Sequence, residues 1–276
     1  MLEGARQPVL KFDDVSLSFD EQRVLDSLSF QVWPGESRIL LGAAGSGKTV
    51  LLKTALGLVK PDSGSVYVFG KDLRGLRESE LFDLRSRIGM VFQEGGLFDS
   101  LTIEENVAYP LVNQRLLHCP EDQVRAKVEQ ALRFVELEHT LEKFPSELSG
   151  GMRRRVGIAR AVVAEPPLVL YDSPTAGLDP ITSYTIMALI LKQRDLKKTT
   201  SVIVTHRYQD GHMMANYFYD PNTGRAVPAG GNGHRAFQST VFMVLREGRL
   251  VFEGTQDELE AARDPYVSKF VKRSEN

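Results

Sequence analysis

The sequence has few of the features that an extracellular or membrane-spanning protein needs. Its 276 residues include a single cysteine, Cys119, so no disulfide can form within the chain. The first residues, MLEGARQP, lack the apolar core of a signal peptide. The longest apolar runs are strand-sized, far short of the roughly 20 residues that cross a bilayer. We therefore expect a protein of a reducing cytoplasm that reaches any membrane through a partner.

A surplus of charge is also missing. The chain carries 34 basic and 36 acidic side chains, for a net charge of -2. Proteins that bind nucleic acid usually show a basic surplus that neutralises phosphates, so we expect no nucleic-acid partner. Hydrophobic residues make up 42% of the sequence, which is enough to bury a substantial core. We expect a single domain over residues 1–276.

The motif GAAGSGKT at residues 42–49 fits the phosphate-loop pattern. It follows a strand-like run that ends at Leu41 and precedes a helix-like stretch that Lys48 opens. In such a loop, successive backbone N–H groups hold phosphate oxygens, the lysine brings a charge to the β- and γ-phosphates, and the hydroxyl of Thr49 can reach Mg²⁺. The predicted phosphate site consists of Gly42, Ala43, Ala44, Gly45, Ser46, Gly47, Lys48 and Thr49.

Short apolar runs alternate with helix-like stretches, a pattern typical of a parallel sheet with crossover helices. Strands are predicted at 28–33, 38–41, 66–69, 88–92, 168–171 and 201–204, and helices at 48–58, 78–87 and 181–196. The alternation stops at about 101–164, where helical periodicity marks 102–111, 121–135 and 150–163. We therefore expect an α/β core with an inserted helical subdomain at residues 95–164.

We interpret residues 207–276 as a C-terminal extension. Within it, residues 220–239 are rich in Gly, Pro and Asn and predict an irregular loop, with a tolerated surface insertion and a dedicated partner contact as the two interpretations. A strand at 241–245, a second strand after a turn, and two short helices are expected to follow.

Asp172 ends the apolar run VLY, so its carboxylate should emerge at the carboxyl edge of the sheet, beside the phosphate loop. An isolated aspartate in this position would indicate only a strand-ending turn. The phosphate loop upstream and SPTAGLDP downstream favour a different role, in which Asp172 holds Mg²⁺ through water.

Five motifs occur here in the order of one family: GAAGSGKT, Gln93 after a strand, LSGGM from residue 148, LYDSPTAGLDP, and VTH at 204–206. Over about residues 9–254 the chain resembles the nucleotide-binding subunit of an ABC transporter. The resemblance implies a P-loop NTPase (RecA-like) core with a parallel sheet, an N-terminal antiparallel β-subdomain and an inserted α-helical subdomain. It also implies ATP and Mg²⁺ as cofactors.

The resemblance assigns roles to single residues. Phe19 would stack on adenine, with ordinary strand core as the alternative; His206 would contact the γ-phosphate. The implied metal ligands are Thr49, Gln93 and Asp172, and Gln93 could instead reach the attacking water.

Two further motifs are implied to act between subunits. Ser149, Gly150 and Gly151 begin a helix, whose N–H groups and dipole suit a γ-phosphate; in this family that phosphate belongs to the opposite subunit. Asp179 would lie at the shared interface of a head-to-tail homodimer.

Partners follow from the same resemblance. The basic run after LSGGM and the segment 92–111 are similar to the class that serves a lipid-trafficking permease and a substrate-binding partner of the mammalian-cell-entry type. Such an ATPase would lie on the cytoplasmic face of the inner membrane. Leu97, Phe98 and Leu101 would line the groove that receives a permease helix, or else pack in the core. We interpret Arg153–Arg155 as a solvated face.

Position 173 departs from the family pattern, which places a glutamate after the magnesium aspartate to activate water. Ser173 cannot act as that base at neutral pH, and general-base assistance is worth roughly 10²- to 10⁴-fold in rate. His206, Gln93 and Glu94, in falling order, are candidates to replace it. The sequence thus predicts an ATPase that drives a permease, with an ATP-driven dimerisation switch of negligible hydrolysis as the alternative.

Overall fold

The computed structural model describes residues 7–113, 119–230 and 239–272. The strands are β1 (Leu10–Phe19), β2 (Gln22–Val32), β3 (Ser37–Gly42), β4 (Ser63–Val68), β5 (Lys71–Asp72), β6 (Ile88–Val91), β7 (Leu168–Asp172), β8 (Thr200–Thr205), β9 (Tyr217–Asp220), β10 (Arg225–Pro228), β11 (Thr240–Arg246) and β12 (Arg249–Gly254). The helices are α1 (Lys48–Ala55), α2 (Glu78–Arg85), α3 (Ile103–Asn113), α4 (Glu121–Phe134), α5 (Gly150–Val162), α6 (Pro180–Lys197), α7 (Tyr208–Asn216), α8 (Gln256–Glu260) and α9 (Pro265–Lys272).

The central sheet has six strands in the order β12-β11-β3-β8-β7-β6. Every neighbouring pair is parallel except β11 and β12, which pair antiparallel. Because both faces are covered, the inner strands β3, β7 and β8 are buried along their whole length, and alternate residues face two different clusters. Ile39 and Leu41 of β3 pack into one core cluster, whereas Leu40 packs into the other. The predicted α/β core with a parallel sheet is confirmed.

An antiparallel sheet in the order β2-β1-β4-β5 covers one side of this core. Its inward residues, among them Leu10, Phe12 and Val66, join α1 and one face of the central sheet in a single apolar cluster. Phe12 and Phe30 stack with ring centroids 4.8 Å apart. This sheet is the antiparallel unit that the family resemblance implied.

Helices α3, α4 and α5 pack on the other face. Val107 of α3, Val128 and Leu132 of α4 and Val156 of α5 belong to one buried cluster with β7 and α6. All three helices agree with the predicted segments to within two residues at each end. The division into subdomains at residues 95–164 and 207–276 stays a prediction.

The segment expected to be irregular contains a hairpin. β9 and β10 pair antiparallel around a turn that Asp220 closes, since its carboxylate accepts hydrogen bonds from the Asn222 amide and the Thr223 hydroxyl. The expectation of an irregular loop from residue 220 is therefore wrong for residues 225–228. Strands of four residues with turn-forming neighbours leave too short an alternation to be read. The part at 231–238 lies outside the described residues.

Tertiary contacts hold this hairpin on α6. The Tyr219 amide donates to the Asp195 carboxylate at 2.7 Å, and the Tyr184 hydroxyl donates to the Ala226 carbonyl at 3.2 Å. In the three described ranges, no helix is both long and apolar enough to span a bilayer.

Candidate functional site

The phosphate-loop motif connects β3 to α1 and depends on its glycines. Gly45 and Gly47 have φ of 77° and 99°, in the left-handed region that favours glycine. A Cβ on Gly47 would lie 2.7 Å from the Val24 carbonyl oxygen, and one on Gly42 would lie 2.9 Å from the Leu245 carbonyl oxygen. The loop is therefore folded tightly against neighbouring backbone, with no room for larger residues at these two positions.

The Lys48 ammonium is turned onto its own loop. It donates to the carbonyl oxygens of Gly42 at 2.9 Å and Ala43 at 2.7 Å, and to the Ser46 hydroxyl at 3.2 Å. Burial lowers the pKa of Lys48, and the negative charge of Asp172 partly opposes that effect. A half-buried cation that contacts only neutral oxygens of its own loop fits a phosphate group, which would supply the missing negative charge.

The loop opens onto a cavity of about 930 Å³. Its lining residues are Val24, Ala43, Ala44, Gly45, Gly47, Lys48, Thr49, Val50, Gln93, Ser173, Ala176, His206, Arg207, Tyr208, Gln209, Tyr266, Lys269 and Phe270. Within the described part of the chain, this lining includes three cationic side chains and no carboxylate. The cavity is thus suited to an anionic ligand, and it brings most of the predicted loop together with Gln93, Ser173 and His206.

Asp172 lies behind this wall, at the end of β7, with only 7% of its surface exposed. Strand β8 separates β7 from β3, and the paired residues Asp172–Val204 and Leu41–Thr205 bring the three strand ends to one edge. Carboxylate and hydroxyl oxygens are the ligands that Mg²⁺ prefers, and it usually completes its shell with water and phosphate. Asp172 and Thr49 fit such an ion.

A buried carboxylate organises the backbone next to this edge. Oδ2 of Asp210 accepts hydrogen bonds from the hydroxyls of Thr175 at 2.6 Å and Thr205 at 2.7 Å. Burial raises the pKa of Asp210, while those two hydrogen bonds and the nearby Arg207 oppose the effect. Arg207 in turn donates to the Ser183 hydroxyl at 2.8 Å. The network ties the loop after β7 to the start of α7.

Gly42 and Ser46 belong to the phosphate loop and Asp172 lies behind it, but none of the three lines the cavity, and five further predicted site residues lie away from it. Phe19, at the end of β1, is 47% exposed, so its interpretation as strand core is wrong. Ser149 caps α5 by accepting from the Met152 amide at 3.3 Å, and Asp179 caps α6 by accepting from the Ile181 and Thr182 amides. A Cβ on Gly151 would lie 2.7 Å from Cγ2 of Thr182, so the first turns of α5 and α6 are in contact. Ser149, Gly150, Gly151 and Asp179 thus form a second group on the surface.

The three arginines of α5 do not form a solvated face, and that prediction is wrong. Arg153 donates to the Leu148 carbonyl, Arg155 to the Val135 carbonyl, and Arg154 to the carbonyls of Pro174 and Ala176. Arg154 is only 8% exposed. The guanidinium groups have several donors each and satisfy backbone acceptors of adjacent loops, which sequence periodicity does not reveal.

Several cavity residues were missed at the sequence level. Arg207 follows His206 directly and Gln209 lies three residues after it, so proximity to that motif was an available signal. Tyr266 and Lys269 of α9 are three residues apart and therefore share a helix face, but nothing in the sequence connects them with a loop more than 200 residues earlier. Glu94, the third candidate to replace the missing glutamate, does not line the cavity, and its charge acts on Arg154 instead.

A second, shallower cavity of about 390 Å³ lies at the junction of β6, α3 and α5. Phe98 and Tyr109 stand at its wall with ring centroids 4.8 Å apart, and both are more than 40% exposed. Arg160 donates to the Gly95 and Gly96 carbonyls beneath them. Leu97 packs against the core, as the second interpretation expected, whereas Phe98 lines this cavity.

Known proteins are similar to this chain over most of its length. It is 31% identical to the intermembrane phospholipid transport system ATP-binding protein MlaF of Haemophilus influenzae, over 96% of this chain and 91% of that one. It is 36% identical to the chloroplastic protein TRIGALACTOSYLDIACYLGLYCEROL 3 of Arabidopsis thaliana, over 99% of this chain and 76% of that one.

Solved structures agree with the fold. A dimeric structure of the ABC transporter cassette MJ0796 superposes with a TM-score of 0.74 at 29% identity, covering 89% of this chain and 98% of that one. The cassette CbiO1 of Clostridium perfringens gives a TM-score of 0.73 at 28% identity, covering 97% and 94%. The family model described as "ABC transporter" matches residues 25–176. This chain therefore belongs to the ABC transporter family, as an ATP-hydrolysing subunit with ATP and Mg²⁺ as its cofactors.

Proposed function

We propose that this ATPase powers a separate membrane permease that moves phospholipid or a related lipid in a bacterial envelope. The similarity to the phospholipid-transport protein MlaF, which extends over 96% of this chain, carries the proposal. A chloroplast relative whose name refers to a glycolipid supports the lipid class. We place the subunit at the cytoplasmic face of the inner membrane, where it would meet both ATP and the permease.

In this proposal the cavity residues act directly on ATP. The phosphate-loop amides of residues 42–49 hold the phosphates. The Lys48 ammonium leaves the carbonyl oxygens of Gly42 and Ala43 and binds the β- and γ-phosphate oxygens. Thr49, Asp172 and Gln93 hold Mg²⁺, which supplies charge neutralisation on the phosphates. His206 contacts the γ-phosphate. Phe19, exposed at the end of β1, stacks on adenine.

The second surface group completes the site only from a partner subunit. Ser149, Gly150 and Gly151 present the N-terminus of α5, with its amides and positive dipole end, and the contact between Gly151 and Thr182 keeps it beside Asp179. None of the four lines the cavity of its own chain. A head-to-tail homodimer would bring them to the γ-phosphate in the opposite subunit, and dimeric structures of the MJ0796 cassette support this arrangement.

The groove beside β6 is our proposed permease contact. Its exposed rings, Phe98 and Tyr109, offer an apolar surface to a short helix. Arg160 fixes the Gly95–Gly96 backbone, two residues beyond Gln93, so a change in the groove is transmitted mechanically to the metal site. A substrate-binding partner of the mammalian-cell-entry type in the same complex belongs to the same proposal.

A pull-down from native membranes tests this partnership. The full chain is compared with Phe98→Ala and with Phe82→Ala, which removes a ring of equal exposure on α2, outside the groove. We expect the wild type and Phe82→Ala to recover one permease and Phe98→Ala to lose it. Repeated recovery of no permease by the wild type would contradict the transporter assignment. Lipid extracted with the complex then identifies the cargo.

A second function is favoured by one observation, the serine at position 173. If no other group activates water, ATP would close the dimer and hydrolysis would be negligible, so the chain would act as a switch. Sedimentation of the wild type with Mg·ATP separates the two functions. A dimer that persists for many minutes indicates a switch, whereas a dimer that dissociates as phosphate is released indicates a motor. Lys48→Ala supplies the blank.

A further inference from the structure

The C-terminal helix α9 lies against the phosphate loop. Asp264 caps the helix by accepting from the amides of Tyr266 at 2.8 Å and Val267 at 3.0 Å. Val267 is 1% exposed and belongs to the larger core cluster. The helix is therefore anchored to the core at its first turn, and the Tyr266 ring leaves it toward the cavity.

The hydroxyl of Tyr266 connects two backbone segments. It donates to the Leu245 carbonyl at 3.1 Å and accepts from the Ala43 amide at 3.3 Å. Leu245 is the β11 residue paired with Gly42, so both segments lie where the phosphate loop leaves the sheet. One phenol thus joins the end of β11 to the first turn of the loop.

Two neighbours fix the orientation of this ring. The Phe270 ring packs edge-on against it with centroids 5.4 Å apart, and the Arg246 guanidinium lies over it, 5.6 Å from the centroid. A half-buried ring held on two sides keeps its hydroxyl in one place without further loss of side-chain entropy. The position of the hydroxyl is thus determined by α9 and β11 rather than by the loop.

The peptide groups of Ala43 are held from both directions. Its amide donates to Tyr266, and its carbonyl accepts from Lys48 at 2.7 Å. When Lys48 moves to a phosphate, the contact with Tyr266 remains and continues to hold the loop in a shape that presents its amides. Preorganisation of this kind raises affinity because less freedom is lost on binding.

We propose that Tyr266 is a positioning residue of the nucleotide site, which holds the first turn of the phosphate loop through the amide of Ala43. The inference rests on the phosphate-loop role proposed above. It makes α9 part of the nucleotide site, so that the affinity for phosphates depends on the C-terminal helix.

The test measures ATP and ADP affinity by calorimetry on the full chain and its Tyr266→Phe variant, together with the unfolding temperature without nucleotide. The phenylalanine keeps the ring contacts and removes only the hydroxyl. The variant loses both hydrogen bonds of the hydroxyl, of which the one from the Ala43 amide holds the phosphate loop directly. Losing that loop contact should weaken the binding of both nucleotides by roughly three- to tenfold. KM should rise by a similar factor.

Tyr184→Phe is the matched control. Its hydroxyl also donates to a single backbone carbonyl, that of Ala226, and it does not line the cavity. We expect its nucleotide affinity to equal that of the wild type. Equal affinity of Tyr266→Phe and the wild type, or equal losses in both variants, would overturn the inference while leaving the phosphate site intact. If the wild type bound neither nucleotide, the phosphate site itself would be wrong, and the inference with it.

Discussion

The hydroxyl of Ser173 lies 3.4 Å from Oδ1 of Asp172. Ser173 has φ of 48°, and its amide donates to the Val204 carbonyl at 2.9 Å, so the chain turns sharply as soon as β7 ends. The side chain at position 173 therefore stands at the cavity wall, one residue beyond the buried carboxylate. A serine is too short to reach far into the cavity from there, and a glutamate would extend into it.

The first prediction concerns Ser173→Glu. A carboxylate at this place can accept a proton from water, and general-base assistance is worth roughly 10²- to 10⁴-fold. We expect the steady-state rate of Mg·ATP hydrolysis to rise within that range.

Ser173→Ala is its control, because it removes the hydroxyl without adding a base. We expect its rate to match that of the wild type, with Lys48→Ala as the blank. Equal rates for Ser173→Glu and the wild type, both above the Lys48→Ala blank, would mean that His206 or Gln93 already activates water. Such a result would also remove the reason for the switch hypothesis.

The second prediction concerns Arg154, which connects α5 to the loop after β7 through the carbonyls of Pro174 and Ala176. Arg154→Met keeps much of the side-chain volume but leaves these acceptors without their donor. The cost should be roughly 2 to 4 kcal/mol in the free energy of unfolding. Chemical denaturation measures it.

Arg155→Met provides the comparison on the same helix. Arg155 is more exposed and donates to one carbonyl, that of Val135, outside the loop. We expect a loss below about 1 kcal/mol and unchanged ATP hydrolysis, whereas Arg154→Met should also slow hydrolysis. Equal effects of the two changes would show that the loop contact has no special importance.

The features that sequence predicted are those encoded by neighbouring residues. The phosphate loop needs glycines, a lysine and a threonine within eight residues, and a buried parallel strand needs an unbroken apolar run; both are local, so both could be read. The second residue group, Ser149–Gly151 with Asp179, came from the family resemblance, and its role between subunits stays a prediction.

Contacts between distant segments could not be read in this way. The pairing of Ala43 with Tyr266 spans 223 positions and uses a side chain with no motif of its own. The arginines of α5 were predicted to be solvated because a charged residue in a sequence does not reveal whether a backbone carbonyl of a distant segment lies within hydrogen-bond distance. The β9–β10 hairpin was missed because its short strands are stabilised by α6, through Asp195 and Tyr184, rather than by their own pattern.

The third prediction concerns pH and Asp210. Burial raises the pKa of this carboxyl in the folded state above its ordinary value, near 4. As pH rises, the unfolded chain loses this proton at a lower pH than the folded chain does. Asp210 therefore contributes its full stabilisation below the ordinary carboxyl pKa, and this contribution decreases as pH rises to the raised pKa of the folded state. Asp210→Asn cannot titrate and lacks this decrease.

Urea unfolding from about pH 2.5 to about pH 7.5 measures the effect on both sides of the ordinary carboxyl pKa. The stability of the wild type relative to Asp210→Asn should fall as pH rises above about 4. Asp220→Asn tests the opposite sign, because hydrogen bonds from Asn222 and Thr223 lower the pKa of Asp220, and its contribution is lost as pH falls. If the free energy of unfolding changed with pH in the same way for the wild type and Asp210→Asn, the prediction would be contradicted.

The last prediction concerns Gly157, inside α5. A Cβ at this position would lie 2.9 Å from both the Cα and the carbonyl oxygen of Gly95. Helix propensity alone would favour Gly157→Ala by about 1 kcal/mol, but the two backbones cannot separate without disturbing the hydrogen bonds from Arg160 to Gly95 and Gly96. Overpacking should dominate, with a net loss of roughly 1 to 3 kcal/mol in the free energy of unfolding.

Gly150→Ala, on the first turn of the same helix, is the control that separates the effect of helix propensity from the effect of overpacking. A Cβ there would meet only Nη2 of Arg153, at 4.0 Å. We expect chemical denaturation to show its stability equal to or above that of the wild type. Because Gly95 lies two residues beyond Gln93, Gly157→Ala should also slow ATP hydrolysis. If Gly157→Ala were as stable and as active as the wild type, α5 would be free to shift against the backbone of Gly95. A change in the groove at Phe98 could then not reach Gln93 through the contact between α5 and Gly95.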